Sequence, residues 1–111
     1  MTQIKIEKTK GKIAKIECQG HAGFGAKGED IVCAALSSIV QTASLGLLSV
    51  VGININLKRD DKKGYLFMQV PQNLSEIDDI KTQAILETML VGISDLYQSY
   101  SDFIDIEIKG E

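Results

Sequence analysis

The sequence predicts an α+β fold in the order ββαββαβ, a mixed or antiparallel sheet packed with two long helices. Three observations carry this. Apolar and polar residues alternate with period two near both ends of the chain and in its middle. One long apolar stretch and one long run of apolar residues at helical spacing separate those alternating runs. Glycine-rich or charged turns mark the boundaries between them. At 111 residues with 44% apolar content, the chain can bury one core but not two, so a single domain over 1–111 is expected.

Residues 3–8 and 12–18 alternate around Lys10-Gly11, with Ile4, Ile6, Ile13 and Ile16 as the apolar members, which predicts a β-hairpin. The segment after Cys18 holds four glycines in nine positions, Gly20, Gly23, Gly25 and Gly28, and reads as a loop. Asp30 is positioned to cap a helix over 31–51 that ends near Gly52. That helix is apolar on nearly every side, with a narrow polar stripe at 37, 38, 41, 42, 44 and 49, so it belongs in the middle of the fold or against a partner subunit. Residues 53–59 and 65–70 predict a second hairpin across the charged turn Arg59 to Gly64. Asn73 or Ser75 then caps a helix over 77–100. Its predicted core face holds Ile77, Ile80, Ala84, Ile85, Met89, Ile93, Leu96 and Tyr100. Phe103, Ile104, Ile106 and Ile108 make a closing strand.

Ile31 to Leu57 carries no charged side chain, which raises the possibility of a membrane span. Eight polar residues spread through it, among them Ser37, Gln41, Asn54 and Asn56, argue instead for a buried helix running into a strand, with no membrane. The net charge is −3 and the basic residues are scattered, so no direct nucleic-acid contact is expected. The N-terminus lacks the apolar core of a secretion signal. Cys18 and Cys33 are therefore expected as reduced thiols of a cytoplasmic protein.

The chain's one histidine, His21, precedes Cys33 by twelve residues, and Cys33 falls in the predicted first turn of a helix. A thiol there feels the positive end of the helix macrodipole, and a nearby imidazole can take its proton. In that reading His21 accepts the proton, the thiolate attacks a peptide carbonyl, and the imidazolium protonates the departing amine. Free N–H groups around Cys33 would hold the oxyanion, an effect of about 3 kcal/mol per well-placed donor. Asp30 beside the thiol would oppose its ionisation, so capping or orienting His21 is the role that suits it. Ser37, one turn beyond Cys33, is a supporting residue able to hydrogen-bond the thiolate or the imidazole.

Other chemistry fits less well. Cysteine is often plain packing, and a histidine in a glycine loop is often a turn residue. Cys18, His21 and Cys33 supply three zinc ligands where a structural site wants four, so no metal and no cofactor are expected. The C-x-x-C pair of a redox protein and the spacing of a phosphate loop are both missing.

Gly20-His21-Ala22-Gly23, Gly28, and Asp30-Ile31-Val32-Cys33-Ala34-Ala35 with Ser37 resemble the signature of the ribosomal-processing cysteine protease (Prp) family, and the likeness in length and element order spans the chain. The resemblance implies an endopeptidase that removes the N-terminal extension of a large-subunit ribosomal protein precursor. It carries the catalytic roles onto His21 and Cys33 and family positions onto Asp30 and Ser37. It also implies a homodimer with a mobile loop between the two catalytic residues. Glycines at 20, 23, 25 and 28 would let that loop close over a substrate. A basic precursor would be drawn by Glu29, Asp30, Asp60, Asp61, Glu76, Asp78 and Asp79, though each of these also suits an ordinary solvated cap or turn. A non-catalytic peptide-binding or ribosome-assembly module is the alternative, with Cys33 reduced to packing.

Overall fold

A computed structural model describes residues 1–20 and 29–110, with 29 and 30 described by backbone alone. His21, Gly23, Gly25, Gly28 and the side chain of Asp30 lie outside the described residues. The elements run β1 (Thr2–Thr9), β2 (Lys12–Gln19), α1 (Glu29–Gly46), β3 (Asn56–Asp60), β4 (Tyr65–Gln69), α2 (Glu76–Tyr100) and β5 (Ile104–Gly110). The sheet order is β3-β4-β2-β1-β5. Its neighbours pair antiparallel except β1 and β5, which run parallel, so the expected ββαββαβ order closes as a mixed sheet.

The first hairpin turns at Lys10 and Gly11 with φ of 55° and 78°, two left-handed residues in the manner of a type I′ turn. Strand alternation then sends Ile4, Ile6, Ile16, Leu66 and Met68 to one face, where they are buried against the helices. The register slips between Glu7 and Lys8, leaving Ala14 as an extra residue in β2. That bulge explains how Ile13 and Ile16, three apart, both reach the core. The Gln83 side chain of α2 accepts from Ile13 N–H and donates to Ile13 C=O, both at 2.9 Å, and so fastens the helix to the bulge.

Along α1, Val32, Leu36, Val40 and Ala43 form the buried stripe and Leu47 continues it. The helix widens to a π turn over Leu47–Val51, and the N–H groups of Gly52 and Ile53 both reach Leu47 C=O at 3.0 and 3.1 Å. Gly52 has φ +83°, the left-handed value that ends a helix where glycine stands. Ile53 is therefore spent in closing the helix, and β3 begins at Asn56 rather than at residue 53.

Two further expectations change. The backbone is helical from Glu29, so Asp30 lies inside the first turn and is not the N-cap. On α2, Ser75 is the cap, its hydroxyl accepting from Asp78 N–H, but the buried face is Thr82, Leu86, Met89 and Ile93. Ile77 and Ile80 are each 65% exposed. The expected and observed faces share Met89 and Ile93 and part in the first half of α2, where Gln83 is fastened to Ile13 and Thr82 and Leu86 turn inward.

Candidate active site

Cys33 is the fifth residue of α1 and is half-buried on the side that faces the sheet, between the buried Val32 and Leu36. Beneath it the sheet carries small residues. Gln3 pairs with Gln19 and Gln19 with Tyr65, so the next row places Thr2, Gly20 and Gly64 side by side. Gly20 N–H donates to Gly64 C=O at 3.0 Å and locks that row together. Where other rows present isoleucine, leucine or methionine, two glycines leave a hollow of about 320 Å³ between the sheet and the start of α1.

Cys33, Ser37, Thr2 and Gly20 line this hollow together. Ser37 thus shares a wall with Cys33, as helical spacing requires. The thiol's hydrogen-bond partner among the described residues is Thr2, whose Oγ1 lies 3.2 Å from Cys33 Sγ. Because Cys33 is the fifth helical residue, its own N–H falls within the intrahelical ladder. The donors without an intrahelical acceptor are those of Glu29, Asp30 and Ile31, so the free first-turn N–H groups expected around Cys33 lie two to four residues ahead of it.

The opposite wall comes from the second hairpin. Arg59 forks onto the Asp61 carboxylate at 2.6 and 3.3 Å and donates to Gln41 of α1 at 2.8 Å. The guanidinium and carboxylate neutralise each other, so this wall is polar with little net charge. Asp60 takes N–H bonds from Lys62 and Lys63 and shapes the turn. Asp79 pairs with Lys12. These acidic groups have local partners, which is the ordinary role considered for them above.

Cys18 also borders the hollow, but it is buried and burial pushes its thiol up to about 12. It stays a neutral packing group, the structural role its strand position indicated. Tyr65, at the rim, donates to Glu17 Oε2 at 2.8 Å, and that bond raises its phenol above the usual range.

The family model for the cysteine protease Prp matches residues 1–105 of the chain. The chain belongs to the Prp family. The ribosomal processing cysteine protease Prp of Bacillus subtilis (strain 168) is 29% identical over 103 residues, 92% of each chain. A crystal structure of Prp from S. aureus in complex with a substrate peptide has the same fold, with TM-score 0.86 at 24% identity over 98% of this chain and all of that one, 100%. A second S. aureus Prp structure, with a covalently linked product peptide, gives TM-score 0.81 at 25% identity, covering 98% and 100%. The protein is accordingly a cysteine protease, and Prp membership displaces the non-catalytic binding module.

Two groups at this Prp site escaped the sequence reading, Thr2 and the Arg59–Asp61–Gln41 cluster. A signal for Thr2 was present, because it is a polar residue on the inward face that Ile4 and Ile6 define. Nothing in the sequence connects it to a cysteine 31 positions away.

Proposed function

We propose that this Prp protein is a processing endopeptidase that removes the N-terminal extension of a large-subunit ribosomal protein precursor, with Cys33 as nucleophile and His21 as general base and acid. The observation that carries the reading is a half-buried cysteine at the start of a helix, opening into a hollow between that helix and the sheet. The described relatives support the substrate class, since one is named for ribosomal processing and another holds a covalently linked product peptide.

In the reaction the Cys33 S–H proton passes to His21 and the sulfur forms a bond to the scissile carbonyl carbon. The oxyanion is held by N–H groups ahead of Cys33 in α1. Collapse of this intermediate expels the amine, which takes the proton from the imidazolium. Water then adds to the thioester and releases the acid product and Cys33. Asp30 orients the imidazole, Ser37 supports the thiolate, and the loop bearing Gly20, Gly23, Gly25 and Gly28 closes over the peptide. A chain of net charge −3 favours the approach of a basic precursor.

The reading also sets the reaction in the cytoplasm, which the free thiols of Cys18 and Cys33 support. It includes a homodimer, supported by exposed apolar side chains on both helices, Leu45, Leu48, Val50 and Val91. Replacing the nucleophile tests the core of it. Cys33→Ala should lower cleavage of a precursor peptide roughly a thousandfold or more, with an unchanged circular dichroism spectrum. Mass spectrometry of the digest reports activity and cut site together, and a Cys33→Ala protein that still cleaves at the wild-type rate refutes the proposal.

A further inference from the structure

The inward row of β1 reads Thr2, Ile4, Ile6, and all three are buried, Thr2 to 4% exposure. A hydroxyl in that row loses water and needs a partner to offset the loss. Its partner is Cys33 Sγ at 3.2 Å. The surroundings hold it there. Thr2 is the first paired residue of β1, matched with Ile104 across the parallel β5, and its β-branched side chain has little rotamer freedom. On the other flank Gly20 leaves the space the hydroxyl occupies. A Cβ at Gly20 would fall 2.5 Å from Thr2 Oγ1 and 2.9 Å from both its Cα and Cβ. Any other residue at position 20 would displace Thr2 from the sulfur, so the requirement for glycine there is steric.

We propose that Thr2 is a positioning residue for the nucleophile, its hydroxyl holding the Cys33 sulfur over the hollow and donating to it once the thiol has lost its proton. The proposal rests on the protease reading of Cys33. While the thiol is protonated, either group can be the donor. When the S–H bond breaks and the proton moves to the base, the sulfur becomes a pure acceptor and Thr2 donates, keeping its own proton throughout. A hydrogen bond to the charged form favours that form, so Thr2 helps to hold the sulfur in its attacking state. It also slightly blunts the sulfur's intrinsic reactivity, because a better-stabilised thiolate is a weaker nucleophile. The two effects separate by pH.

The test is the pH profile of iodoacetamide alkylation at Cys33, resolved from Cys18 by peptide mapping, in wild type, Thr2→Val and Thr2→Ser. The valine keeps shape without a donor, and the serine keeps the donor. Thr2→Val should slow alkylation of Cys33 severalfold at neutral pH, with a rate at high pH no lower than wild type. Thr2→Ser should restore most of the wild-type rate at neutral pH. A Thr2→Val profile that overlays wild type, or a Thr2→Ser profile displaced as far as that of Thr2→Val, overturns the proposal. Should Thr2→Val fail to unfold cooperatively, Thr2→Ala takes its place under the same criteria. Alkylation needs no substrate, so overlaid profiles count against Thr2 alone, whereas retained cleavage by Cys33→Ala counts against the protease reading.

Discussion

Cys18 and Cys33 border the same hollow, and their surroundings give them opposite chemistry. Cys33 is half-buried and opens to the space a peptide would enter, while Cys18 is packed in the core beside Ile16 and Leu66. Burial is the largest cause of the Cys18 shift, with the neighbouring Glu17 and Cys33 charges adding to it. In native protein at neutral pH, iodoacetamide should label Cys33 and leave Cys18 unmodified until the chain unfolds. Cys18→Ala should keep most of the cleavage activity. The raised thiol also sets a pH dependence of stability. The folded protein holds the Cys18 proton up to about 12, whereas the unfolded chain releases it near 9.0. The contribution is thus complete below about 9.0 and is lost as pH climbs towards 12. Urea titrations at pH 7 and 10.5 should show a larger fall in wild type than in Cys18→Ala, and equal falls would contradict the assignment.

The elements owe their placement to a few polar contacts set among apolar surfaces. A bulge in β2 turns Ile13 inward and interrupts the ladder, and Gln83 supplies the missing donor and acceptor from α2. Gln83→Ala leaves both backbone groups of Ile13 without those bonds in a half-shielded place. It should cost about 1–3 kcal/mol of stability, read from the urea midpoint. The same substitution removes the contact that phases α2, so a change in the order of its first turns should accompany the loss. At the other side of the sheet, Arg59 ties the second hairpin to Gln41 of α1 and to Asp61. That cluster steadies the wall facing Cys33.

The described residues form one sheet with both helices on a single face, and the outward surfaces of those helices carry exposed apolar side chains among polar ones. Leu45, Leu48 and Val50 project from the end of α1, and Val50 is 77% exposed. Val91, Ile77 and Ile80 project from α2, and a groove of about 590 Å³ runs between the two helices. The segment Ile31–Val51 is long and apolar enough to cross a membrane by length and composition. In the fold its inner stripe is instead spent on the core through Val32, Leu36, Val40 and Leu47. Contiguous apolar surface of this kind marks an interaction site, and a second copy is the occupant the homodimer proposal names. Sedimentation equilibrium at micromolar concentration should give twice the chain mass. Val50→Glu should shift the distribution towards monomer, since an uncompensated charge buried in an apolar contact is costly. A wild type that sediments as monomer removes the homodimer from the proposal.

Local patterns were enough to read the order of elements, because alternation, helical spacing and turn residues are properties of neighbouring positions. The hairpin at Lys10-Gly11, the helix end at Gly52 and the Ser75 cap are all of this kind. So was the Prp signature around Cys33, which spans eighteen positions from Gly20 to Ser37. What needed the folded chain are relations between distant residues. The phase of α2 follows from Gln83 meeting Ile13, 70 positions away, and no periodicity in the helix could choose it. Thr2 reaches Cys33 because a five-stranded sheet sets β1 beneath α1 and a glycine beside it clears the way. Spacing along a chain constrains what neighbours can do, and a hydrogen bond between a strand's first residue and a helical thiol exists only where packing has already brought them together.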